Sequence, residues 1–267
     1  MPSRFEVITM LKRKRISMAL AQGKREDGRG LMDFRKIVIK KGILEKAEGS
    51  AEVWLGDTRV IAGVKVGVGE PYQDTPNQAV LTVNAEFTPI ASPTFEPGPP
   101  DETSIELARV VDRGIRSSEA IDFEKYCIIP GKAVYVIFID ICILNYAGNL
   151  IDASALAALA ALQSTKVPKY LAEGGEVKPL DASEPLELRD LPIAVTIGKI
   201  DGSLIVDPTA DEEDVMGTRF TVTVNQEGNI CALQKSGPEG LTLEEIRKAI
   251  NIALEKAPEI RKLLMES

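Results

Sequence analysis

The chain contains no histidine. This excludes every mechanism built on an imidazole base or ligand: Ser-His-Asp and Cys-His nucleophiles, zinc-histidine centres and haem-histidine sites. Aromatic residues are scarce, at 5%, so an interior has to be filled with Val, Ile, Leu and Ala. The three cysteines, Cys127, Cys142 and Cys231, have neither the spacing of a metal knuckle nor the even count of a disulfide framework. They read as the reduced thiols of an intracellular protein. Long apolar runs are also missing. The longest, 133–144, is too short to span a bilayer and is broken by Asp140. The opening MPSRFEVITM lacks the pattern of a signal peptide. These absences together lead to the expectation of a cytoplasmic protein without membrane contact. No glycine-rich loop followed by Lys-Ser/Thr occurs, which counts against a small-molecule kinase with a Walker-type phosphate cradle.

What is present is enough for a real core. Of 267 residues, 44% are apolar and 27% charged, which suits one large or two ordinary domains. The net charge of -8 argues against a simple polycationic nucleic-acid binder. The charge is uneven, however. Residues 1–41 hold twelve Lys and Arg against four acids, including the run Lys12, Arg13, Lys14, Arg15. A basic first segment on an acidic body suits either a polyanion or an acidic partner surface, and also suits a solvated basic helix.

The pattern reads as two α/β halves. Apolar Phe5, Ile8, Leu11, Ile16 and Leu20 predict a leading helix over 3–21. KREDGRG, 24–30, is a turn. Strands are expected at 34–39, 51–55, 59–68 and 79–87, with Gly56-Asp57 as a hairpin turn. Five prolines make 88–100 a loop. A helix is expected over 105–117, opened by a capping box of Thr103 and Glu106. The run 133–144 reads as a strand covered on both faces, and 152–164 as an Ala/Leu helix. Residues 168–190, with Pro168, Gly174, Gly175, Pro179 and Pro185, read as a polar linker, which divides the chain into 1–190 and 191–267. In the second half, strands are expected at 193–200, 204–206, 219–225 and 229–234. Asp201-Gly202 and Glu227-Gly228 are tight turns. A capping box of Thr242 and Glu245 opens a last helix with Ile246, Ile250, Ala253 and Leu254 on one face, and Pro258 marks its end or a kink.

Three groups are candidate sites. Arg109, Arg113 and Arg116 fall at i, i+4 and i+7, on one stripe of the 105–117 helix, with Ile105, Ala108, Val111 and Ile115 opposite. Such a row can grip successive phosphates of a single strand. It can equally be a surface stripe paired with Glu102, Glu106 and Asp112. Asp207, Asp211, Glu212, Glu213 and Asp214 form either a Mg²⁺-type carboxylate cluster or a solvated acidic loop. Asp140, inside an apolar strand, is either a buried structural carboxylate or a site residue.

At this point the whole chain resembles the RNase PH family, and most closely its non-catalytic member in the archaeal exosome ring. The resemblance is carried by KREDGRG, GSAEVWLGDTRVIAGVKVGVGEP, VNAEFTPIASPTFEPGPP, ELARVVDRGIRSSEAID, IDICILNYAGNLIDASALAALAAL, LPIAVTIGKIDGSLIVDPTADEED and GLTLEEIRKAI. It implies an α/β (α+β) RNase PH fold of two halves of the ribosomal protein S5 domain 2 type. It further implies a hexameric ring of three heterodimers with a catalytic paralogue, single-stranded RNA in the channel, and cap proteins with S1 or KH domains. Active relatives carry a Gly-Thr/Ser-Arg phosphate turn, whereas here the segment is Gly148-Asn149-Leu150-Ile151-Asp152. Where they place catalytic aspartates, Val215-Met216-Gly217-Thr218-Arg219 has none, and the proline-rich loop has lost its arginines. The resemblance therefore implies a chain with no catalytic residues, no metal and no cofactor. Its RNA-binding residues would be Arg109, Arg113 and Arg116. The alternative is an active phosphorolytic exoribonuclease using the carboxylates of Asp207–Asp214.

Overall fold

The structure is a computed structural model and describes residues 4–173 and 176–267. The first sheet is built from β1 (Ile37–Lys41), β2 (Gly49–Leu55), β3 (Thr58–Gly69), β4 (Val80–Phe87), β5 (Cys127–Ile129) and β6 (Ala133–Asn145). Its order is β1-β2-β3-β6-β4, with β5 paired to one end of β6. All pairs are antiparallel except β4 with β6, which are joined by a crossover carrying α2 (Glu102–Ser117). Strict alternation explains why these segments are strands with one dry face. Val60, Ala62 and Val64 of β3 and Ile137, Ile139, Ile141 and Ile143 of β6 all point into the core.

The same alternation corrects the reading of 133–144 as covered on both faces. Phe138 is exposed, and so is Asp140, whose carboxylate accepts a 3.1 Å hydrogen bond from the Asn84 amide. Helices cover one face of this sheet only, so Asp140 is neither buried nor structural in the expected sense.

α3 (Leu150–Gln163) is the centre of the molecule. Eleven of its residues are buried, from Ile151 to Leu162. Its small Ala side chains let it lie between β2 and β3 on one side and β9 (Ile193–Ile200) on the other. The fit against β2 leaves no room at Gly49. A Cβ there would lie 2.1 Å from the Thr165 hydroxyl and 2.5 Å from the Ala161 carbonyl.

The second sheet contains β9, β10 (Ser203–Val206), β11 (Thr218–Val224) and β12 (Ile230–Ser236), all antiparallel in the order β10-β9-β11-β12. Asp201-Gly202 forms the expected tight turn, with positive φ at both residues. The β11–β12 connection is longer than expected. Asn225 donates to the Asn229 carbonyl across the intervening residues, and Gly228 takes the left-handed position. The short α4 (Ala210–Glu213) follows β10. α5 (Leu243–Glu266) opens with the Thr242–Glu245 capping box and packs on β9, β11 and β1. Pro258 does not end it, and the helix continues to Glu266. Ala249, Ile252, Ala253, Ala257, Ile260 and Leu264 form its buried face, so Ile246, Ile250 and Leu254 flank that face.

Residues 168–190 are more than a linker. β7 (Lys166–Glu173) and β8 (Glu176–Pro185) pair as a two-stranded ribbon, anchored by the Tyr135 hydroxyl on the Pro168 carbonyl at 2.9 Å. Gly174 and Gly175 lie outside the described residues.

α1 (Arg4–Ala21) packs Ile16 and Leu20 against Ile200, Ile205 and Val215 of the second half. Leu11 is exposed, contrary to the expected apolar stripe, and the side chains of Phe5 and Ile8 lie outside the described residues. Lys12 reaches Asp211 and Asp214, and Arg13 reaches Asp201. The basic segment is therefore drawn onto acids of its own chain. Among the described residues, no helix is long and apolar enough to cross a membrane.

Gly49→Ala is expected to destabilise the chain by about 1–3 kcal/mol, because an added methyl must displace Thr165 or the α3 backbone. Urea unfolding of the variant beside the wild type measures it, and equal midpoints would contradict the packing described.

Candidate nucleic-acid interface

α2 begins three residues earlier than the spacing suggests. Asp101 is the cap and accepts from the Ser104 N–H at 2.7 Å, so Thr103 lies within the first turn and forms no box with Glu106. Glu106 is drawn away to the second half. It accepts from Arg219 at 3.2 Å, from the Ser236 hydroxyl and from the Gln234 amide at 3.4 Å. Burial works to raise its carboxyl, but Ser236, Arg219 and Gln234 outweigh it and hold the group below its ordinary range. The helix buries Leu107, Ala108, Val110, Val111 and Ile115, whereas Ile105, expected on that face, is exposed.

The three arginines do share the outer stripe, and all three are exposed. Their surroundings differ. Arg109 makes no hydrogen bond or ion pair among the described residues. Arg113 donates to the Gln234 side-chain oxygen on β12 at 3.1 Å. Arg116 is gripped by both oxygens of Asp112, at 2.8 and 3.2 Å, and lies 5.5 Å from the Phe123 ring centroid. Of the acids expected to pair with this row, Asp112 pairs with Arg116 and Glu106 goes elsewhere.

The acidic run of the second half is consumed by the fold. Asp207 is fully buried with φ of 52°, and it accepts from Arg29, from the Arg35 backbone and guanidinium, and from Asn149, all at 2.7–2.9 Å. Glu212 is buried against Arg25, whose guanidinium also reaches the carbonyls of Val206 and Asp207. Glu213 accepts from the Tyr146 hydroxyl at 2.7 Å and from the Asn149 N–H at 3.0 Å. Burial pushes both its carboxyl and the Tyr146 phenol up. Asp211 and Asp214 hold Lys12. Asp207, Glu212 and Glu213 are thus bonded within the fold, whereas Asp211 and Asp214 stay exposed around Lys12. The partners Arg25 and Arg29 lie in the KREDGRG turn, which is their one signal in the sequence, and Arg35, five residues beyond it, carries none.

The turn before α3 takes a matching form. Gly148 has φ of 96°, and a Cβ there would lie 2.4–2.6 Å from the backbone of Pro208, Thr209 and Ala210. Asn149 is left-handed and buried, and its amide donates to Asp152 and Asp207 at 2.8 Å each. Asp152 is also bonded by the Thr196 N–H at 2.9 Å and hydroxyl at 2.7 Å. Complete burial dominates these hydrogen bonds and lifts its carboxyl to about 7. Three carboxylates thus converge where the helix N-terminus would otherwise attract an anion. Nearby, the proline-rich loop and the open face of β4 and β6 form a cleft of about 700 Å³ lined by Glu86, Glu96, Asp101 and Asp140, with no cation in its lining.

Two antiparallel-rich sheets around one central helix, an arginine-striped α2 and an ion-paired acidic turn make up an α/β protein of two halves. The chain belongs to the RNase PH family. Its residues 33–168 match the model of the 3′ exoribonuclease family, domain 1, and residues 190–256 match that of domain 2. It is 54% identical over 264 residues to the exosome complex component Rrp42 of Thermococcus gammatolerans, covering 98% of this chain and 97% of that one. Among solved structures it is similar to a chain of the Archaeoglobus fulgidus exosome with RNA bound to the active site. That match has a TM-score of 0.89 and 48% identity, and it covers 96% of this chain and 98% of the other. It is also similar to a chain of an archaeal exosome core, with a TM-score of 0.86 and 43% identity over 97% of this chain and 98% of that one.

A buried carboxyl whose folded value lies above its unfolded one binds its proton more tightly in the native state. For Asp152 that contribution is fully present below about pH 4 and is lost as pH rises toward 7. The expected result is that Asp152→Asn, which keeps the shape and removes the titration, flattens stability against pH between 4 and 7. Denaturant melts across that range test it, and parallel curves for the two proteins would contradict it.

Proposed function

We propose that this chain is the non-catalytic RNase PH-like subunit of an archaeal-type exosome, a phosphate-dependent 3′→5′ exoribonuclease that degrades RNA. It orders the active site of a catalytic paralogue and guides single-stranded RNA through Arg109, Arg113 and Arg116. The assembly is a ring of three heterodimers, capped by proteins with S1 or KH domains and working in the cytoplasm. In this reading the first domain is 1–190 and the second 191–267. The β7–β8 ribbon and the Ile121–Leu188 bridge attach 166–188 to the first half, and the second sheet starts at Ile193, which supports that boundary.

The observation that carries the reading is the turn before α3. Phosphorolysis needs orthophosphate held in line with the terminal linkage and an acid or metal at the leaving oxygen. Here the Asn149 N–H already serves Glu213, its amide serves Asp152 and Asp207, and the adjacent Arg35 is neutralised by Asp207. An incoming phosphate dianion would meet buried carboxylates in place of free donors. The acids of the alternative, self-sufficient nuclease are engaged within the chain: Asp207, Asp211, Glu212 and Asp214 hold Arg25, Arg29, Arg35 and Lys12, and Glu213 accepts from Tyr146 and Asn149, which counts against that reading. By contrast the α2 row presents outward cations to a phosphate backbone, and such contacts carry little sequence information.

Given RNA and inorganic phosphate, the purified chain is expected to release no nucleoside diphosphate, and adding the catalytic paralogue should start release. Nucleoside diphosphate formed by the chain alone would overturn the reading. In the assembled ring, Arg109→Glu with Arg113→Glu should weaken RNA binding and flatten its log-log salt dependence by at least about 1, two single-strand phosphate contacts being worth roughly 0.7 each. Arg116→Glu should do less, because Asp112 already offsets its charge. RNA titrations at several salt concentrations read both, and wild-type affinity and slope in the double variant would remove the row from the RNA path.

A further inference from the structure

We propose that Gln234 on β12 is a positioning residue that pre-orients Arg113 for RNA, so that the second half of the chain sets the geometry of a phosphate-gripping arginine on the first. The inference rests on the RNA-contacting role given to the α2 row. Arg113 is exposed, and a long exposed side chain samples many rotamers that it must give up on binding. Among the described residues its one side-chain hydrogen bond is to the Gln234 side-chain oxygen at 3.1 Å. Gln234 is itself tied down, because its amide donates to Glu106 at 3.4 Å and Glu106 is fixed by Arg219 and Ser236. The amide is therefore oriented, with its oxygen toward Arg113 and its nitrogen toward the carboxylate.

The chemistry of the acceptor matters. A carboxylate holding Arg113 would neutralise it, as Asp112 does Arg116. A neutral amide oxygen occupies one of five guanidinium donors and leaves the charge and the other donors for phosphate. Among the described residues the row is thus graded: Arg109 without a partner, Arg113 oriented but fully charged, Arg116 oriented and offset. Arg113 is the member that combines a fixed direction with an undiminished charge.

The test uses the full chain assembled with its catalytic paralogue and a mixed-sequence single-stranded RNA, titrated at several salt concentrations. Gln234→Ala should weaken binding about two- to ten-fold, the range of one net hydrogen bond, while leaving the salt slope at its wild-type value because the charge remains. Gln234→Glu should weaken binding further and flatten the slope toward that of Arg113→Ala, since the new carboxylate offsets the guanidinium. In an Arg113→Ala background, Gln234→Ala should have no added effect. Wild-type affinity in both Gln234 variants, or an effect that persists without Arg113, overturns the positioning role while the RNA reading stands. If Arg113→Ala itself leaves affinity and slope unchanged, it is the RNA reading that fails.

Discussion

Three arginines and two buried carboxylates hold the two halves of this molecule in register. Arg29 and Arg35 share Asp207, and Arg25 forks onto Glu212 while binding the carbonyls of Val206 and Asp207. Arg35 also reaches the carbonyls of Ala147 and Gly148, so the knot ties the 24–30 turn, the end of β10 and the entry to α3 in one place. Ion pairs removed from water contribute little net stability by themselves, but losing one partner strands the other and costs about 3–5 kcal/mol. The knot is therefore better understood as fixing an arrangement than as supplying stability. Asp207 and Asn149 are both held at positive φ, which the surrounding bonds make tolerable.

From that point the rest of the architecture follows. With its entry pinned, α3 runs between the two sheets, and its Ala-rich faces let β2 and β9 approach closely. α2 then crosses beside it and leaves its arginine stripe outward, with β12 of the second sheet near enough for Gln234 and Ser236 to touch residues of α2. Arginine serves two ends in one chain. Where a buried carboxylate faces it, as at Arg25 and Arg35, it is structural, and where a neutral amide or solvent faces it, as at Arg113 and Arg109, its charge remains available.

Much of this was legible in the residues because the signals were local. The period-2 pattern of β3, the Asp201-Gly202 turn and the Thr242–Glu245 box each depend on neighbours in the chain, and each was found. The errors share a cause. The apolar run around Asp140 suggests burial as one of its two readings, yet which face of a sheet is covered depends on where the helices land. Thr103 and Glu106 have capping-box spacing, but Glu106 finds Ser236, 130 residues away, and Asp101 takes the cap. The prolines and polar residues of 168–190 look like a linker, and a solvent-exposed two-stranded ribbon has the same composition because it has little to bury. The acid cluster could not be told from a solvated loop, since its cations lie some 180 residues upstream.

The distribution of charge bears on how RNA would travel over this surface. An acidic chain repels RNA at most approaches. The basic first helix relieves only part of this, because Lys12, Arg13 and Arg15 are bound to Asp211, Asp214, Asp201 and Glu26. The cleft beside β4 and β6 adds to the repulsion, with four carboxylates in its lining and no cation. Against that background, the charges of Arg109 and Arg113, which no acid of the described residues offsets, would not need to bind tightly to matter in the proposed role. A weak attraction along one stripe of a net-acidic chain would narrow the path of a polyanion more effectively than a broad basic patch. Such a patch would hold the strand at many competing positions and slow its movement toward a neighbouring site.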